Sequence, residues 1–105
     1  YRDQTRLTGH HDRTEDLAFF AELGIVRLRY PALWERIAPD DPDDRDWAWT
    51  DERLAEMERL GLHPILGLLH HGSGPAYTNL IADNFVPLFV AHAAATARRY
   101  PQVKD

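Results

Sequence analysis

The sequence predicts an α/β chain, on three observations. Segments of helical periodicity alternate with short strand-like runs, in the order helix, strand, helix, strand, helix. Both helix-to-strand junctions are written alike: Ala21-Glu22-Leu23-Gly24-Ile25-Val26 and Glu58-Arg59-Leu60-Gly61-Leu62-His63 each close a helix on glycine and open a strand. Strands joined by a helical crossover lie parallel in one sheet, so repeated βα units point to a (β/α)8 barrel or a doubly wound sheet. A parallel sheet needs cover on both faces, which two strands and three helices do not supply. A full barrel takes about 250 residues, against 105 here. The expectation is therefore a partial (β/α)8 barrel, roughly helix 1, strand 2, helix 2, strand 3 and helix 3, with residues 1–105 forming a section of a single domain.

Each element has its own signal. Residues 1–11 are polar and aperiodic and read as a tail or loop. Asp12 and Glu15 stand at the spacing of a capping pair, and the helix after them carries Leu17, Phe20 and Ala21 on one face. Ile25 to Tyr30 alternates with period two, setting Val26, Leu28 and Tyr30 opposite Ile25, Arg27 and Arg29, and Pro31 closes the strand. Ala38 to Asp46 holds two prolines among aspartates and reads as an exposed loop. A second helix begins near Thr50-Asp51, buries Leu54 and Met57, and ends at Gly61. Pro64 to His70 is a short apolar run fit for a buried strand, followed by a glycine-rich loop to Tyr77. A third helix starts at Asp83 or Asn84, accepts Pro87 in its first turn, and turns Phe85, Leu88, Phe89 and His92 inward as far as Arg98-Arg99.

Composition narrows the function classes. Twelve basic against seventeen acidic residues give a net charge of −5, which argues against a nucleic-acid partner. The longest apolar run, Ile65 to Leu69, is far short of the roughly 18 residues a membrane span needs. The absence of cysteine excludes disulfides and cysteine-ligated metal centres. No stretch at the start reads as a signal peptide, and a cytoplasmic location is expected.

In parallel α/β architectures active sites gather where strands end. That singles out Arg29 to Trp34 and His70 to Pro75. Arg29 falls on the inward side of its strand if Val26, Leu28 and Tyr30 face the helices. A guanidinium there needs a carboxylate partner, and the second strand offers none. It serves either to hold an active-site carboxylate ionised or as a structural ion pair. Adjacent His70 and His71 point to opposite faces of a strand, and no third ligand stands at metal-binding spacing from them or from His10 and His11, so no metal and no cofactor is expected. His70 is either a hydrogen-bonded buried ring or a contact for a polar ligand. Gly72-Ser73-Gly74 lacks a phosphate-loop signature, and Ser73, the sole serine, lacks a nucleophile-elbow pattern. Trp34 packs beneath the sheet or offers its ring to a sugar face. Trp47 and Trp49 read as covers for the second helix, and Glu35 and Arg36 as surface or supporting ion-pair residues.

Arg29-Tyr30-Pro31-Ala32-Leu33-Trp34-Glu35-Arg36-Ile37-Ala38-Pro39 resembles the R-F-S-x-S-W-x-R-I-x-P segment that ends the second barrel strand of family 1 glycoside hydrolases. His11 to Asp16 is similar to that family's H-x-Y-x-E-D helix start, and Gly61 to His70 to its third strand, G-I-x-P-x-V-T-L-x-H. The resemblance implies a retaining β-glucosidase-like barrel of carbohydrate metabolism. In it Arg29 contacts the catalytic nucleophile, His70 binds hydroxyls of the sugar being cleaved, and Trp34 lies beneath the site. His71 stands where the family has tryptophan, at the sugar-facing loop, and Gly72-Ser73-Gly74-Pro75 replaces its Asp-Leu-Pro. Arg98 to Asp105 resembles the lead-in to the family's fourth strand, which supplies the acid/base. The catalytic carboxylates are thus expected outside this stretch, and the 105 residues alone are expected to be inactive. The implied partners are a carbohydrate ligand and the remainder of the barrel. The alternative is a non-catalytic half-barrel module that binds sugar or self-associates, some relatives of this altered-loop type being fused to sugar-nucleotide reductases.

Overall fold

The computed structural model describes residues 3–70 and 74–105. Two strands, β1 (Arg27–Pro31) and β2 (His63–Gly67), run parallel, with Arg27 opposite His63, Arg29 opposite Ile65 and Pro31 opposite Gly67. They are accompanied by helices α1 (Gln4–Leu7), α2 (Asp16–Glu22), α3 (Trp34–Ile37), α4 (Ala48–Arg59) and α5 (Phe85–Arg99), and by a 3-10 turn at His10–Asp12. The α/β alternation and the parallel pairing are as expected. The described residues form a two-stranded sheet and do not close a ring.

Both junction glycines act as read. Gly24 and Gly61 lie at φ +79° and +70°, a left-handed conformation that is cheap only without a Cβ. In each case the residue after the glycine donates its N–H back into the last helical turn, Ile25 to the Phe20 carbonyl (3.1 Å) and Leu62 to that of Met57 (2.9 Å). This satisfies carbonyls that the helix end would leave bare and turns the chain toward the sheet.

The sheet is two-faced. Leu28, Tyr30 and Leu66 pack with Leu17, Leu54, Met57, Leu62 and Tyr100 under α2 and α4, while Arg27, Arg29, His63 and Ile65 lie exposed on the other side. A second cluster forms around Trp34, whose ring meets those of Tyr77, Phe85, Phe89 and His92. Phe85, Phe89 and His92 thereby realise the inward face expected of the third helix. His92 is fully buried between Trp34 and Trp47, stacked at ring-centre distances of 5.5 and 6.1 Å. Beyond α5 the chain returns to the sheet, and the Leu66 N–H donates to the Asp105 carbonyl along the second edge of β2 (3.2 Å). No helix among the described residues is long and apolar enough to cross a membrane.

Five expectations need correction. The polar segment up to residue 11 is not merely a tail: from Asp3 onward it holds α1 and the 3-10 turn, because Asp3 caps α1 by accepting from the Thr5 and Arg6 N–H groups. Asp12 and Glu15 form no capping pair, since α2 starts at Asp16 without a side-chain cap. Val26 lies outside β1 and is exposed, and β2 ends at Gly67, short of His70. Glu35 is not a surface residue. It is 6% exposed, because Trp34 and Ile37 on the same short helix are drawn fully into the interior.

Candidate functional site

Parallel pairing brings the carboxyl ends of β1 and β2 to one side of the sheet. The two following loops stay joined there, the Ala32 N–H donating to the Gly67 carbonyl (3.0 Å) and the Trp34 N–H to that of Leu68 (3.2 Å). A cavity of about 770 Å³ opens beside these ends, and Arg29, Tyr30, Leu33, Glu35 and His70 are among the residues that line it. Residues from the two strand-end segments singled out in the sequence therefore meet on one cavity. Arg29 lies on the open face of the sheet, exposed and without a carboxylate partner among the described residues. Trp34 is buried behind the cavity and does not line it. His71 lies outside the described residues.

Opposite the strand ends, the N-terminal segment supplies the other wall through Thr5, His10, Arg13 and Asp16. His10 bridges two elements, its Nδ1 lying 2.9 Å from the Asp16 carboxylate and its Nε2 2.8 Å from the Tyr30 hydroxyl. A carboxylate only accepts, so Nδ1 carries a proton. Arg13 also donates to Asp16, through Nε at 3.1 Å. Burial pushes the Tyr30 phenol up, which keeps its hydroxyl protonated.

Arg36 is a supporting ion-pair residue, one of the two roles its sequence allowed, but its partner Asp3 and the burial of Glu35 were not foreseen. Arg36 donates to Asp3 and to the Thr5 hydroxyl, and its guanidinium lies 4.3 Å above the Trp49 ring. Burial alone raises the Asp3 carboxyl, but the Thr5 hydroxyl and Arg36 outweigh it and bring the group down to about 2. At the neighbouring Glu35 burial outweighs the opposing pull of the Arg36 charge. Neither carboxyl oxygen has a hydrogen-bond partner among the described residues, and burial raises its pKa. Only the run Trp34-Glu35-Arg36-Ile37 hinted at this, since apolar residues three apart on one turn carry the residue between them inward. Among the described residues, no three potential metal-ligating acidic or histidine side chains converge.

No protein-family model matches the chain. Individual enzymes do. A 6-phospho-beta-glucosidase from Dickeya chrysanthemi is 32% identical over 66 residues, 59% of this chain and 14% of the enzyme. Another from Clostridium longisporum is 33% identical over 76 residues, 66% of the chain and 16% of the enzyme. The aryl-phospho-beta-D-glucosidase BglA of Bacillus subtilis (strain 168) is 30% identical over 108 aligned positions, 95% of the chain and 22% of the enzyme. The chain thus spans about a fifth or less of the length of these relatives, and within that span it is similar to family 1 glycoside hydrolases.

Proposed function

We propose that the chain is a section of a (β/α)8 barrel whose full protein binds β-linked glucosides and hydrolyses them with retention. The observation that carries this reading is the meeting of Arg29 and His70 on one cavity at the strand ends. His70 offers ring nitrogens to sugar hydroxyls, and Arg29 offers a guanidinium to a carboxylate contributed by another part of the barrel. Retaining hydrolysis requires two carboxylates about 5–5.5 Å apart, one attacking the anomeric carbon and one protonating the leaving oxygen. Of the acidic side chains that line the cavity, Asp16 is held by Arg13 and His10, which leaves Glu35 as a lone carboxyl and not a pair. The catalytic pair is therefore assigned to the rest of the barrel. Trp34 supports the site from behind, and His71 is assigned to the sugar-facing loop by resemblance.

The names of the relatives suggest phosphorylated β-glucosides as substrates, at the 6-position in the first. The test is turnover of p-nitrophenyl β-D-glucoside and its 6-phosphate by the full-length protein. Arg29→Ala is expected to lower kcat/KM by about 100-fold or more, and His70→Ala to lower it chiefly through KM. An Arg29→Ala protein as active as the parent removes the role given to Arg29.

A further inference from the structure

We infer that Glu35 is a ligand-contacting residue of this cavity, holding a hydroxyl of a polyhydroxylated ligand from its inner wall. The inference rests on the sugar-site reading above and adds to it a residue that the resemblance leaves unspecified.

Three observations carry it. Glu35 lines the same cavity as Arg29 and His70. It is 6% exposed, and neither carboxyl oxygen meets a hydrogen-bond partner among the described residues. The adjacent cation makes no hydrogen bond to it, because Arg36 donates through Nη2 to Asp3 and Thr5 and lies over Trp49. The Arg36 charge offsets only part of the burial cost, since the Glu35 pKa stays raised. A ligand that enters the cavity and hydrogen-bonds to Glu35 relieves it.

The type of ligand follows from the geometry, an unpartnered carboxyl sharing a cavity wall with the His70 imidazole, which suits a group rich in hydroxyls. Burial favours the neutral acid, which has one O–H to donate and one carbonyl oxygen to accept. That pair matches a hydroxyl group, itself both donor and acceptor. A cation-binding role fits poorly, since it needs an ionised group and companion ligands, and no such cluster forms among the described residues. Glu35 and His70 then address hydroxyls of one ligand from α3 and from the loop after β2.

The test uses the full-length protein with the hydrolysis-resistant probes p-nitrophenyl 1-thio-β-D-glucoside and its 6-phosphate, titrated calorimetrically. Glu35→Ala is expected to raise Kd about tenfold for whichever probe binds, the loss typical of one ligand hydrogen bond. Glu35→Gln, neutral and still able to donate and accept, is expected to stay within about twofold of the parent. Parent affinity should fall as pH rises through the Glu35 titration, while Glu35→Gln shows no such fall. If His70→Ala loses binding but Glu35→Ala binds like the parent, the Glu35 assignment is wrong and the sugar-site reading survives. If the parent binds neither probe, both fall together. Should Glu35→Ala not fold, parallel pH profiles for the parent and Glu35→Gln would overturn the assignment.

Discussion

Acidification from pH 7 to pH 4 should unseat α5 through a single side chain. His92 is fully buried between the Trp34 and Trp47 rings, and neither of its nitrogens has a hydrogen-bond partner among the described residues. Burial first, opposed by the Ala32 backbone and assisted by the Arg45 charge, depresses its pKa from 6.5 to about 4. In the unfolded chain the same imidazole titrates near 6.5. Between these values the unfolded state binds the extra proton, so stability is complete above about pH 6.5 and declines as pH falls toward 4. At about 1.4 kcal/mol per pH unit the full loss is about 3 kcal/mol, a large share of the stability of a small domain. Asp3 adds a separate loss at lower pH, between 3.8 and about 2, as its carboxylate becomes protonated and releases Arg36. The assay is urea unfolding at half-unit pH steps, followed by tryptophan fluorescence, since two of the three tryptophans sandwich His92. His92→Gln should flatten the profile between pH 6.5 and 4 and leave the Asp3 loss in place. A parent whose stability is level from pH 7 to 4.5, or a His92→Gln protein that declines in parallel with it, refutes the reasoning.

Three further outcomes are expected. Met57→Ala, which empties a fully buried position on α4, should cost about 3 kcal/mol in denaturant unfolding. Gly61→Ala should cost about 1–2 kcal/mol, all of it backbone strain, because a Cβ there meets no atom within 4 Å while φ is +70°; Gly61→Asn should recover part of the loss in the same thermal melt. The Asp51–Arg99 ion pair joins α4 to α5 at 2.8 Å, but both side chains are about 40% exposed, so a double-mutant cycle should give a coupling below about 1 kcal/mol that shrinks with added salt.

The parts of the fold legible in the sequence were those set by local chemistry. Gly24 and Gly61 ended helices as read, period-two alternation separated Tyr30 from Arg29, and spacing on α5 turned His92 inward. Each of these follows from a few neighbouring residues. What escaped depends on distant partners. Asp3 to Thr8 has no apolar periodicity, and its order comes from polar capping and from Arg36, more than thirty positions away. Arg53 is 2% exposed on a helix face that reads as solvated, because its guanidinium lies over Trp49 and donates to the His11 carbonyl. Glu35 escaped for the same reason: a glutamate beside an arginine suggests a surface pair, and only the fold reveals that Arg36 is occupied. For the site, the meeting of Arg29 and His70 was readable from where strands end, while the inner wall of the cavity was not.

The arginines on β1 also bear on how copies of the chain treat one another. Among the described residues β1 has a neighbouring strand on one side only, and an uncovered edge is a template for adding another strand. Arg27 and Arg29 both project from that strand on its exposed face, Arg27 partly neutralised by Asp105 at 3.6 Å. An antiparallel match of two such edges would set guanidinium against guanidinium at cross-strand distance, well inside the roughly 8 Å over which physiological ionic strength screens charge. In the 105 residues taken by themselves, the arginine assigned to a carboxylate of the remaining barrel thus also guards the margin of the sheet, and that protection weakens wherever concentrated electrolyte or a bound anion cancels its charge.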